Sequence, residues 1–171
     1  MTAPRQAPLA SLWRTLHIVE DAALVLLLLV MVLLAVAQIL MRNVADQSLV
    51  WADPFLRVDV LWLGLLGAMI AARDNSHISI DIATRYLPES LARVSGVVLS
   101  LFASAVCAAV AWYAYLFVRS EYSYGTTAFG TVPAWVCESI IPFAFAVIAV
   151  RYLVIGTGLA RGTRPVRKEG V

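Results

Sequence analysis

Few side chains in this sequence combine reactive chemistry with apolar surroundings. Glu138 is the one acid well inside a predicted membrane span, near the outer end of the fourth. An intramembrane carboxylate is a candidate proton or ion site by default. The plainer alternative is a carboxylate hydrogen-bonded near the interface or paired with an arginine. Cys107 and Cys137 lie in apolar runs and make neither a C-x-x-C motif nor a metal-ligand spacing. Their helices set them about 10 Å apart in depth at 1.5 Å per residue, too far for a disulfide, so they read as free thiols. His17 and His77 fall outside the apolar runs and would at best hold one haem at the surface. No nucleophile, acid and base come together, so the sequence points away from an enzyme and implies no cofactor of its own.

The elements that must carry these residues are membrane helices. Hydrophobic residues make up 61% of the 171 and charged residues 14%, with a mean hydropathy of +0.84. A soluble domain has about 45–50% apolar residues. Lipid is the expected solvent. The length accommodates four spans of about 20 residues with short connections and no separate soluble domain, so 1–171 reads as a single membrane domain. The basic residues behind the net charge of +2 are scattered at helix ends, which disfavours a nucleic-acid partner.

The first span covers 22–41, with Gln38 its one polar side chain. A cleavable leader is the rival reading, because Ala35-Val36-Ala37 resembles a cleavage site after a start carrying Arg5 and Arg14. That triplet lies inside the apolar run, and Glu20-Asp21 are out of place in a basic leader. The second span covers 54–72, where Asp53 can cap the free amides and Pro54 fits the first helical position. Arg57 and Asp59 in its first turns are expected at headgroup level. Beyond Arg73, Ile78, Ile82 and Tyr86 recur every four residues, which suits a short amphipathic helix on the membrane surface, a plain loop being the alternative. The third span covers 91–118. A polar connection, 119–131, leads to the fourth, 133–155, with Trp135 at the interface and a kink at Pro142. The tail, 160–171, reads as cytoplasmic.

Two stripes of small residues suit close helix contact in lipid, Gly96, Ser100, Ser104 and Ala108 on the third span and Gly64, Ala68 and Ala72 on the second. Periodicity leaves open whether each packs within the chain or against a partner. Orientation follows from the basic residues. Arg5, Arg14, Arg73, Arg85, Arg93 and the tail lie on one side, and Arg42, Arg57 and Arg119 on the other, which predicts both termini in the cytoplasm. Four helices with one membrane carboxylate also fit a small proton-coupled exporter acting as a homodimer, the alternative functional class.

The order of Gln38-Ile39-Leu40-Met41-Arg42-Asn43, Trp51-Ala52-Asp53, Trp62-Leu63-Gly64, Ala71-Ala72-Arg73, His77-Ile78 and Asp81 resembles the small membrane subunit of tripartite ATP-independent periplasmic (TRAP) transporters, the DctQ-like component. Val132-Pro133-Ala134-Trp135, Pro142 and Arg151 are similar as well, and the resemblance covers roughly 12–159. Where family members often carry two adjacent acids, this sequence has Ala52-Asp53. The resemblance implies a multi-pass protein of the bacterial inner membrane. Its implied role is to scaffold a large membrane subunit that performs sodium-coupled symport of an organic acid delivered by a periplasmic binding protein. With such a partner, the periplasmic face, chiefly Arg42 and the connection with Arg119 and Glu121, together with Asp53 and Arg57, is expected to help dock the binding protein, since a guanidinium there can bond a visiting carboxylate. The plainer reading has Arg42 anchoring the helix end at the headgroups or pairing with Asp46 or Asp53. Lipids and the large subunit would cover the apolar surface.

Overall fold

The computed structural model describes residues 8–44, 50–74 and 89–161. It contains four helices long and apolar enough to cross a membrane, as expected where lipid forces every backbone amide and carbonyl to bond internally. The chain divides into two compact units, Met1–Ile70 and Ala71–Val171.

The first unit holds α1 (Pro8–Val44) and most of α2 (Ala52–Asp74). Helix α1 starts well before the expected 22, because the charged residues ahead of the apolar run are good enough helix formers to continue it. Pro8 suits the first turn, where its missing N–H has no partner to lose. The helix runs unbroken through Ala35-Val36-Ala37. Two contacts fix α1 and α2 as an antiparallel pair. Leu24 Cδ1 lies 3.8 Å from the position a Cβ on Gly67 would occupy. The Gln38 amide donates to Asp53 Oδ1 at 2.6 Å. On each helix the two contacts are separated by the same stretch of chain, about 21 Å at 1.5 Å per residue.

Helix α2 begins earlier than expected, at Ala52, and the Trp51 carbonyl accepts its first helical bond from the Phe55 N–H at 3.2 Å. Asp53 therefore lies inside the first turn, where its charge favours the helix N-terminus. Pro54 is still among the amides that lack an intrahelical partner.

The second unit is built on α3 (Glu89–Tyr124), a two-stranded hairpin of β1 (Thr127–Phe129) and β2 (Val132–Pro133), and the last helix, which is broken into α4 (Ala134–Glu138) and α5 (Ile140–Ala160). The expected connection over 119–131 is largely structured. Helix α3 continues to Tyr124 and ends where Gly125, at φ 65°, donates its N–H to the Glu121 carbonyl at 3.1 Å, a left-handed helix cap. The chain reverses again at Gly130, φ 55°, and Ala134 N–H bonds the Thr126 carbonyl at 2.9 Å to close the hairpin onto α4. Pro133 thus belongs to β2, and the fourth span starts one residue later than expected.

Pro142 explains the break in that span. It has no N–H to offer the Glu138 carbonyl four residues back, and its ring crowds that carbonyl. The helix lapses at Ser139, while bonds from Ser139 N–H to the Trp135 carbonyl (3.0 Å) and from Phe143 N–H to the Ser139 carbonyl (3.4 Å) carry the chain across.

Helices α3 and α5 pack along the small-residue stripe of the third span. Gly96, Ser100 and Ser104 are buried, whereas Ala108 is exposed. A Cβ on Gly156 would lie 3.3 Å from Ser100 Cβ, and one on Gly96 would lie 3.5 Å from Leu159 Cδ1. Ser104 Oγ donates to the Ala149 carbonyl at 2.9 Å. Close backbone approach gains dispersion contacts, which drive helix association where no hydrophobic effect operates. The expected amphipathic segment around Ile78, Ile82 and Tyr86 lies outside the described residues, as do His77 and most of the tail.

Candidate functional site

Within the first unit, the charged groups gather where α1 ends and α2 begins. Arg42 is exposed in the last turn of α1, where a cation complements the helix C-terminus. Asp53 is exposed and holds the Gln38 amide in a charge-assisted bond. Arg57 is exposed one turn further along α2, and Trp51 packs edge to face on Phe55 at 6.4 Å beside them.

Within the second unit, the corresponding surface is the end of α3 with the hairpin. Arg119 is exposed, and its carbonyl accepts a bond from Ser123 Oγ at 3.1 Å. Glu121 is half-buried and accepts a hydrogen bond from the Thr126 hydroxyl, so this acid pins the hairpin to α3. Tyr122 meets Trp135 edge to face at 5.5 Å. The end of α3 is thus capped by an aromatic-flanked hairpin, and Arg119 lies exposed on α3 just before it.

Glu138 ends α4, immediately before the interruption caused by Pro142. Its Oε2 is buried and has no hydrogen-bond partner among the described residues, and its electrostatic neighbour is the like charge of Glu121. Cys107 is half-buried and Cys137 buried, on different helices, and no disulfide joins them. His17 is half-buried on α1.

The two stripes of small residues fare differently. Gly96, Ser100 and Ser104 are consumed by α5, as described above. Gly64 and Ala68 are exposed, and a Cβ on Gly64 would meet nothing within 4 Å, whereas Ala72 at the end of that stripe is buried. Helix α1 is the opposite case. No residue in its most apolar stretch is buried, and its surface is made of large side chains such as Leu26, Leu29, Leu33, Ile39 and Leu40.

One residue escaped sequence reasoning. Asp59, expected at the headgroups, is buried at 3% exposure, with neither carboxylate oxygen hydrogen-bonded among the described residues. The signal was present in the length of the span. A hydrocarbon core of about 30 Å needs about 20 residues, and the apolar stretch from Val60 to Ala72 is too short, so the crossing must reach back past Asp59.

Four apolar helices with charged and aromatic groups at their ends define a multi-pass membrane protein whose described surface offers contacts for other proteins. The family model for the tripartite ATP-independent periplasmic transporters, DctQ component, matches residues 31–161. The chain belongs to that family, which is a transporter component rather than an enzyme family, and it is a multi-pass protein of the inner membrane. Among its relatives is the sialic acid TRAP transporter permease protein SiaT of Haemophilus influenzae, 30% identical over 66 residues, which are 39% of this chain and 11% of SiaT. Another is the isethionate TRAP transporter permease protein DctMQ of Oleidesulfovibrio alaskensis, 24% identical over 105 residues, 61% of this chain and 16% of that protein. The chain thus matches only a small part of the length of either relative. With this membership the reading as a homodimeric exporter falls away.

Proposed function

We propose that this chain is the small membrane subunit of a TRAP transporter and scaffolds a large membrane subunit for sodium-coupled, binding-protein-dependent uptake of an organic acid. The observation that carries the reading is the family match over 31–161, taken with relatives in which most of a much longer permease protein lies outside the matched segment. We read the large subunit as the partner of this membrane segment. It carries the substrate and sodium sites, and the small subunit supplies area in the bilayer. Both termini are cytoplasmic, as the distribution of basic residues requires.

In that topology Arg42, Asp53 and Arg57 of the first unit, and Arg119 and Glu121 of the second, each lie toward the periplasm as contacts for the binding protein. Arg42, Arg57 and Arg119 are exposed, while Glu121 holds the hairpin against the end of α3. The open face of α2 at Gly64 and Ala68 receives a helix of the large subunit, because small residues permit close approach in lipid. The test is copurification in detergent with the large membrane subunit expressed beside it, followed by uptake in liposomes with and without the binding protein. The complex is expected to transport and the chain alone to bind no substrate. Failure to copurify, or transport by the chain alone, refutes the reading.

A further inference from the structure

Among the described residues, Asp59 is an acid with both carboxylate oxygens buried and without a donor. It lies about 10 Å along α2 from Ala52 at 1.5 Å per residue, with 3% of its surface exposed. Asp53, six residues earlier on the same helix, shows the usual outcome, a carboxylate bonded to the Gln38 amide. Arg57 does not answer Asp59, because residues two apart on a helix are about 200° apart around its axis, and Arg57 is exposed. Burying a carboxylate without a partner is costly, and in a membrane such acids are retained where they pair with an opposite charge or mark a functional path.

We infer that Asp59 is a contact for the large membrane subunit, and that it receives a basic side chain, a guanidinium or ammonium, from a helix of that subunit. This rests on the chain being the small subunit of a two-part permease. A cation is the donor that stabilises the ionised carboxylate in the bilayer, where a neutral donor leaves its charge uncompensated. The route is short. Val60, the next residue, is 56% exposed, so Asp59 lies about a quarter turn of helix from an open face of α2. A long basic side chain on a helix packed there reaches back along its apolar stem toward the carboxylate. In the free subunit the acid is an unsatisfied group, and in the complex it becomes half of an ion pair, so assembly is favoured at the expense of the isolated chain.

The experiment measures two quantities on the full chain, its dissociation from the large subunit in a detergent dilution series and its thermal unfolding when purified alone. Asp59→Asn keeps the shape and removes the charge, and Asp59→Leu removes the polar group. Breaking a buried pair by removing one partner is expected to weaken assembly about 100-fold or more in both variants, while Asp59→Leu alone unfolds at a higher temperature than the wild type. Assembly of Asp59→Asn with unchanged affinity would show that no charge is needed there and overturns the inference. A lower unfolding temperature for isolated Asp59→Leu also overturns it, because the acid would then be satisfied within its own chain. If the wild-type chain does not assemble with the large subunit, the reading as a small permease subunit fails first.

Discussion

Replacing Gly156 with alanine probes the tightest helix contact in the protein. An added Cβ would lie 3.3 Å from Ser100 Cβ and 3.4 Å from Leu101 Cδ2, inside the optimal carbon separation of about 3.5–4.0 Å. Leu101 can rotate away, but Ser100 Cβ is fixed to the α3 backbone, so α3 and α5 must part by a few tenths of an ångström. Overpacking of this kind costs about 1–3 kcal/mol. Against it stands the better helix propensity of alanine, about 1 kcal/mol over glycine. Gly64→Ala isolates the second effect, since a Cβ there meets nothing within 4 Å. The expected outcome is a Gly64→Ala variant more stable than wild type by up to about 1 kcal/mol, with Gly156→Ala below it by about 1–3 kcal/mol. Adding Ser100→Gly to Gly156→Ala should recover part of that loss, a coupling of about 0.5 kcal/mol or more in a double-mutant cycle. Unfolding of the purified chain by SDS titration, followed through the helical circular dichroism, gives all four values. Equal stabilisation by the two alanines, or a coupling of zero, would refute the close α3–α5 crossing.

Ser104→Ala removes the bond to the Ala149 carbonyl and should cost about 0.6 kcal/mol, and not above about 1.7, in the same titration; Ser120→Ala, which loses only a local bond to the Phe117 carbonyl, is the control. Arg42→Glu should leave assembly with the large subunit intact and lower binding-protein-dependent uptake at low salt, with the defect shrinking as salt screens the repulsion. Uptake unchanged at low salt would make Arg42 an anchor of the helix end. A reporter fused after Val171 should be cytoplasmic and one inserted near Gly125 periplasmic, and a periplasmic C-terminus would contradict the orientation read from the arginines.

The four crossings were legible because hydrocarbon imposes one local rule, about 20 apolar residues with every backbone group bonded within the helix. Pro142 was likewise readable as a defect, since a missing N–H acts on the carbonyl four residues back whatever surrounds it. The hairpin was less so. Gly125 and Gly130 signal turns, but the short strands beside them are stabilised by the bonds of Thr126 with Glu121 and Ala134, which depend on where α3 ends and α4 begins.

By itself, then, the sequence determined the solvent, the number of crossings and the faces that helical spacing makes small or large. Tertiary structure decided what each face meets. Gly96-Ser100-Ser104 and Gly64-Ala68 carry the same four-residue spacing, yet the first is filled by α5 around Gly156 and the second is open. Gln38 and Asp53 read separately as a stray polar residue and a helix cap until the antiparallel pairing of α1 and α2 makes them one hydrogen bond. Asp59 reads as an interfacial charge until the helix is seen to bury it. Periodicity records which side chains share a face, whereas the partner of that face is set by packing between residues distant in the chain.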